Sequence, residues 1–182
     1  MSRKYKIKDR QKPYFVTLTI VQWIDVFIRD EYRMIFMDSL RYCMEHKGLE
    51  VYGYCMMTSH VHLIIGTNGE LMQDILRDLK KFTSSQIIKA IEQNNFESRK
   101  GWMLWIFRRA GEQNPNNEKY QFWQQHNHPI ELQSKDMMMQ KLKYIHENPV
   151  KGGFVSEPEA YLYSSAGDYS GRKGLLDIDF LY

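Results

Sequence analysis

Two histidines stand one residue apart at the head of an apolar run, His60-Val61-His62-Leu63-Ile64-Ile65. Successive side chains of a strand alternate between faces, so both imidazoles project one way while Val61 and Leu63 project the other. The run is rich in β-branched residues, and its apolar side has to be buried in a core. The chain is therefore committed to a sheet with one face covered. On the other face, two imidazoles lie close enough to share one divalent metal ion. A His-x-His pair also arises by chance, and the same residues would then be ordinary sheet positions.

Far downstream stands Lys141-Leu142-Lys143-Tyr144-Ile145-His146-Glu147-Asn148-Pro149-Val150. It reads as a helix, because the apolar residues Met138, Leu142 and Ile145 recur at helical spacing. Positions i and i+4 share a helix face, so Tyr144 and Asn148 look out together. Pro149 is expected to stop the helix, since the residue before a proline is pushed away from helical geometry. Asn148 would then sit in a frayed last turn with its carboxamide oxygen open to a ligand. A phenol and a carboxamide facing a two-histidine strand compose a nucleophile beside a metal. The chain has 12 tyrosines, and Tyr144 is set apart only by its helix position and its motif. Tyr52, Tyr54, Tyr161 and Tyr163 read as packing residues with a hydroxyl at the surface.

Taken together, His60-Val61-His62 and Tyr144-Ile145-His146-Glu147-Asn148-Pro149-Val150-Lys151-Gly152-Gly153 resemble the HUH endonucleases of the single-tyrosine transposase type. Within that group the chain is most similar to the REP-associated tyrosine transposases, marked by Tyr-Ile-x-x-Asn-Pro-Val and a later Ser-Ser pair, here Ser164-Ser165. The resemblance runs from Tyr14 to about Tyr169. It departs at Met57-Thr58-Ser59, where the family commonly has Met-Pro-Asn before the first histidine; the turn chemistry differs and the ligands are kept.

The resemblance implies Tyr144 as the catalytic nucleophile and His60, His62 and Asn148 as metal ligands. It also implies single-stranded or hairpin DNA as the partner, with Mg²⁺ or Mn²⁺ as cofactor, although ligand preference alone also admits Zn²⁺ or Co²⁺. Glu147 competes with Asn148, because i+3 lies near the same face and a carboxylate is the better ligand for a hard cation. Asn148 is preferred because the single-tyrosine relatives place a carboxamide four residues after the tyrosine. The implied product is a 5′-phosphotyrosine link with a free 3′-hydroxyl on the other fragment, and attack by another 3′-hydroxyl would join new ends. Some relatives are dimers that exchange their tyrosine helices, so a homodimer and the choice of tyrosine in cis or in trans stay open. Two other classes are a hairpin-binding protein that does not cut and an unrelated metallohydrolase with a small substrate.

Charge is distributed unevenly. Arg3, Lys4, Lys6, Lys8, Arg10 and Lys12 face only Asp9, which makes the first dozen residues about +5 within a chain of formal net charge +3. Such an arm suits phosphate contacts, which gain from counterion release, and it is equally a solvated tail. Lys80-Lys81, Arg99-Lys100 and Arg108-Arg109 lie near Phe82, Trp102, Trp105 and Phe107. Cations mixed with aromatics serve single-stranded DNA by neutralising phosphates and stacking bases, while most of these aromatics are equally core residues. The candidate DNA contacts are Arg3, Lys4, Lys6, Lys80, Lys81, Arg108 and Arg109.

At 182 residues and 43% hydrophobic the chain can bury one sizeable core. Cys43 and Cys55 lie in apolar-periodic segments and read as buried thiols. No apolar run approaches the roughly eighteen residues of a membrane span, and the charged N-terminus lacks a signal-like apolar core, so a cytoplasmic location without a membrane partner is expected. His126-Asn127-His128 spells the letters of the HNH nucleases without their scaffold. A two-histidine phosphoesterase would need a second His-x-Ser/Thr motif, which is missing.

The expected order is strand, helix, strand, strand, helix, strand. Strands are expected over Tyr14 to Trp23, Glu50 to Met57, His60 to Gly66 and Tyr120 to Gln125. Helices are expected over Asp30 to Lys47, Leu71 to Gln93, Arg99 to Arg109 and from an N-cap at Ser134. This is an α+β class, a ferredoxin-like or RRM-like antiparallel sheet with helices packed on one face. Residues 1–12 form a basic arm and 13–182 a single HUH tyrosine transposase-like domain, with an irregular C-terminal wrap.

Overall fold

The computed structural model describes residues 12–114, 119–125, 127 and 129–181. Four antiparallel strands form one sheet in the order β2-β3-β1-β4, the ferredoxin-like order. They are β1 (Tyr14–Thr19), β2 (Leu49–Met56), β3 (His60–Thr67) and β4 (Ile130–Glu131). In register, Thr17 faces His62 and Thr19 faces His60 across the β1–β3 pair.

The period-two alternation divides the sheet into two faces. Val16, Leu18, Val51, Leu63 and Ile65 point into the main core, which is closed by α1 (Asp30–Lys47) and α2 (Met72–Gln93). Helix α1 buries Tyr32, Phe36, Leu40 and Cys43 and ends at Gly48, whose φ of 69° is the left-handed geometry of a C-cap. Helix α2 buries Ile75, Leu79, Thr83, Ile87 and Ile91 at i+4 spacing, so Phe82 falls off the stripe and is exposed. The inserted α3 (Lys100–Glu112) adds Met103 and Phe107 to this core. Cys43 and Cys55 are both buried and free.

The two helices of the ferredoxin-like layer thus lie on one face, as expected. The opposite face, which carries the imidazoles, has a smaller cluster of Phe15, Cys55, Met57, Ile64, Leu132, Leu142 and Ile145. Leu142 and Ile145 of this cluster come from α4 (Lys135–Lys151). Ser134 caps α4, its hydroxyl accepting from the Met137 N–H at 3.2 Å.

Three local expectations are corrected. Helix α4 does not stop before Pro149 but continues through it to Lys151. A proline lacks only its own N–H, and the groups beyond are used: Gly152 N donates to the Asn148 carbonyl at 2.8 Å and Phe154 N to that of Pro149 at 2.9 Å. Strand β1 ends at Thr19, where the chain enters a short 3₁₀ turn, Val21–Trp23. The segment from Tyr120 to Gln125 is not the fourth strand. It bonds to the end of β1, Gln124 N to the Thr19 carbonyl at 2.8 Å, but buries the consecutive Phe122 and Trp123, which breaks strand alternation.

The tail beyond α4, which includes the short α5 (Ala166–Tyr169), follows the outer edge of β2. Met56 N donates to the Tyr163 carbonyl at 2.9 Å, Ser165 N to that of Tyr54 at 3.0 Å, and Asp179 N to that of Val51 at 2.9 Å. These bonds occupy groups that an open edge would offer to another strand. Among the described residues no helix is long and apolar enough to cross a membrane.

Candidate active site

Strand geometry sets the two imidazoles side by side, with ring centroids 4.7 Å apart and planes at 75°. Each Nδ1 is held by a neighbouring hydroxyl: Thr17 Oγ1 lies 2.9 Å from that of His62, and Ser59 Oγ lies 3.2 Å from that of His60. Thr17 is the cross-strand partner of His62, so the register of β1 on β3 supplies the contact. Such bonds fix the rings and leave Nε2 as the nitrogen available to a ligand. Burial pushes the His62 imidazole down to about 3, with the positive charges of His60 and Lys141 adding to it. Burial also lowers His60, against the opposing pull of Asp25. Both rings are therefore neutral near pH 7, the state that binds metal.

Helix α4 carries the third component. The Tyr144 ring centroid is 5.5 Å from that of His62 and 6.1 Å from that of Phe15, and the side chain is 42% exposed. Its position follows from packing on either side. Leu142 and Ile145 dock on the sheet over Gly53, where a Cβ would stand 2.7 Å from Leu142 Cδ1 and 3.2 Å from Ile145 Cδ1. One turn along, His146 Nε2 lies 2.8 Å from the Ser165 hydroxyl, which also accepts from Tyr54 N at 3.0 Å and donates to the Tyr54 carbonyl at 3.2 Å. Ser165, from the Ser-Ser pair of the sequence motif, thus ties the tyrosine helix to β2. Burial lowers His146 to about 4, so it acts here as a neutral strut.

Asn148 is half-buried one turn after Tyr144, and its amide donates to the Tyr144 carbonyl at 2.8 Å. Glu147 is drawn elsewhere, bonded to Lys151 at 2.7 Å and paired with Lys143 at 3.7 Å. Among the described residues there is no group of three or more His, Cys, Asp or Glu side chains placed to hold a metal.

Two neighbours escaped the reading of the sequence. The Lys141 ammonium lies 4.7 Å from the Phe15 ring centroid and 5.5 Å from that of Tyr144. It stands one helical turn before the tyrosine, a spacing that could have flagged it. Trp23, at the end of the 3₁₀ turn, has its ring centroid 5.2 Å from that of His60. Only its place just after β1 hints at that.

The candidate DNA contacts are scattered. Arg3, Lys4 and Lys6 lie outside the described residues, as do His126 and His128. Lys80 is turned inward, donating to the Gln124 carbonyl and to Asn127 Oδ1, each at 2.8 Å, and burial pulls it down to about 8. Lys81 is exposed and borders an open cleft of about 1050 Å³ together with Arg77, Lys89 and Lys119. Arg108 lies over Tyr120 at 5.9 Å and Arg109 over Trp105 at 5.3 Å.

The fold is shared with a known structure. The REP-associated tyrosine transposase bound to a REP hairpin superposes with a TM-score of 0.64 at 17% identity, over 100% of this chain and 92% of that one. A candidate transposase from Deinococcus radiodurans R1 matches with a TM-score of 0.46 at 17% identity, over 80% of this chain and 96% of that one. No protein-family profile and no curated protein matches the sequence.

Proposed function

We propose that the chain is a transposase-like DNA endonuclease and strand transferase that cuts single-stranded DNA near a hairpin, with Tyr144 as the nucleophile. The carrying observation is that the Tyr144 ring lies 5.5 Å from His62, beside the paired imidazoles of its own chain. A partner subunit is then not required to supply the phenol. The fold shared with a transposase bound to a hairpin supports DNA as the substrate class.

The residues fit a divalent cation. Two neutral imidazoles share one face, each with Nδ1 engaged, and Asn148 would be the third protein ligand. Bound there, Mg²⁺ or Mn²⁺ would neutralise a non-bridging phosphate oxygen and polarise the phosphorus. The remaining work belongs to the chain. The Tyr144 oxygen attacks the phosphorus and loses its proton, the bond to the 3′-oxygen breaks, and that oxygen leaves as a hydroxyl. One phosphodiester is exchanged for a 5′-phosphotyrosine ester, so a later 3′-hydroxyl can reverse the step with no nucleotide cofactor. Lys141 sets a positive charge beside the phenol and the phosphate brought to it.

The test is incubation of the protein with a labelled hairpin oligonucleotide and Mn²⁺, followed by a denaturing gel. The expected result is a covalent protein–DNA band that disappears in Tyr144→Phe and in the double variant His60→Ala/His62→Ala. Retention of the hairpin without any covalent band would replace this reading by that of a non-cleaving hairpin-binding protein.

A further inference from the structure

The 3₁₀ turn after β1 is built unusually. Gln22 and Trp23 have φ values of 56° and 54°, two consecutive non-glycine residues in the left-handed region that L side chains avoid. The turn is pinned on both sides. Ile20 N donates to the Ser59 carbonyl at 3.0 Å, Val21 N to that of Phe122 at 2.9 Å, and Trp23 N to that of Ile20 at 3.0 Å. Val21 and Ile24 are buried to either side, yet the indole between them is 57% exposed. An indole is among the largest apolar surfaces a chain can bury, and here a strained backbone holds it in the open. It stands beside His60, with ring centroids 5.2 Å apart and planes at 72°.

The surface continues away from the histidines. Gln22 also lines a cleft of about 370 Å³ whose other walls include Trp105, Arg109 and Gln113. Trp105 is 58% exposed, and the Arg109 guanidinium lies 5.3 Å from its ring centroid. An indole post beside the imidazoles therefore leads through one turn to a second indole paired with a cation. Exposed aromatic faces spaced along a path with positive charge suit unpaired bases, whereas the bases of a duplex are already stacked.

We infer that Trp23 stacks the unpaired base next to the phosphate held at His60 and His62, and that the cleft with Trp105 and Arg109 receives the strand beyond it. This rests on the nuclease reading above and adds which part of the substrate is read as single strand. Gln22 and Gln113 also line this cleft, and their carboxamides can hydrogen-bond a base edge.

The experiment uses the full chain and two oligonucleotides, a hairpin with a single-stranded flank and the same hairpin with that flank paired into duplex. Trp23→Ala is expected to lose about tenfold in affinity for the open flank and none for the paired one, with Trp23→Phe recovering most of the loss. Trp105→Ala is expected to show the same selectivity. Near-UV circular dichroism checks that each variant is folded. Equal losses on both oligonucleotides, or no loss on either, would overturn the stacking role. The covalent band of the wild type reports separately on cleavage. A band together with flank-blind Trp23→Ala binding sinks this inference alone, and flank-selective binding with no band sinks the nuclease reading while keeping the stacking site.

Discussion

Acid should loosen the support of the histidine hairpin through one buried carboxylate, Glu97. This side chain is fully buried between the start of α1 and the turn before α3. It accepts from Arg29 Nε at 2.7 Å, from Arg99 Nε at 2.9 Å and NH2 at 2.8 Å, and from the Arg99 backbone N–H at 3.1 Å. The Arg99 bonds first, helped by Arg29, hold its carboxyl at about 2 against an ordinary 4.5. Arg99 in turn donates to the Asp25 carbonyl at 2.6 Å, and the Asp25 carboxylate accepts from Thr58 at 2.5 Å, one residue before Ser59-His60. The folded value is depressed, so the stabilisation is complete above the unfolded value of 4.5 and is lost as pH falls from there towards 2. The full linkage is about 3 kcal/mol, of which about 2 kcal/mol has gone by pH 3. Arg29 is partly exposed, and screening there trims the figure. Urea unfolding of the wild type and Glu97→Gln at pH 7 and pH 3 isolates the effect from the other carboxylates. The stability gap between the two proteins should shrink by about 2 kcal/mol at the lower pH. A gap that stays constant would refute the reasoning.

Three further outcomes follow from the geometry of the site. Mn²⁺ affinity, measured by electron paramagnetic resonance or calorimetry, should fall less steeply between pH 7.5 and 5.5 than that of free imidazole ligands, because burial lowers both His60 and His62; Thr17→Val should lower that affinity by about tenfold, and a fall with pH as steep as that of free imidazole would contradict the burial argument. Gly53→Ala should cost about 1–3 kcal/mol in urea unfolding and weaken the covalent band, since the new methyl pushes on Leu142 and Ile145 beneath the tyrosine helix, and an unchanged midpoint would show that α4 is not seated there.

Much of this arrangement was legible in the residues, and the limits have physical causes. Strong periodicity located α1 over Asp30–Lys47, with a glycine after it, and the same holds for α2 and the hairpin of β2 with β3. Strand alternation alone set His60 and His62 on one face. The fourth strand is hidden from sequence because Tyr120 to Gln125 has strand-like composition but packs as an irregular segment, while the actual β4 is two residues long and carries no pattern. Local rules make Pro149 a stop because they count the lost hydrogen bond, whereas the burial of Pro149 and the bonds after it outweigh that loss. In sequence Lys80 is indistinguishable from a surface cation, because its hydrogen-bond partners, Gln124 and Asn127, come from a distant segment. Trp23 was invisible for the same reason, since its neighbour His60 is brought to it only by the β1–β3 pairing.

The seat of α4 bears on how the proposed nucleophile would be delivered. To hand Tyr144 to another subunit, a chain would have to lift α4 off its own sheet, expose Leu142, Ile145 and Pro149, and break the contact between His146 and Ser165. Exposing Leu142 and Ile145 alone costs about 3–6 kcal/mol, and the lone Ser165 hydroxyl would still have Tyr54 but no longer a strut. An exchanged partner helix could recover these terms only by docking in the same place, over Gly53 and against the same serine. Exchange would then leave the local geometry unchanged while adding the entropic cost of association. On the nuclease reading proposed above, the contacts that hold Tyr144 beside His62 favour a tyrosine acting in cis, and they make the Ser165 anchor as much a part of its placement as the helix that bears it.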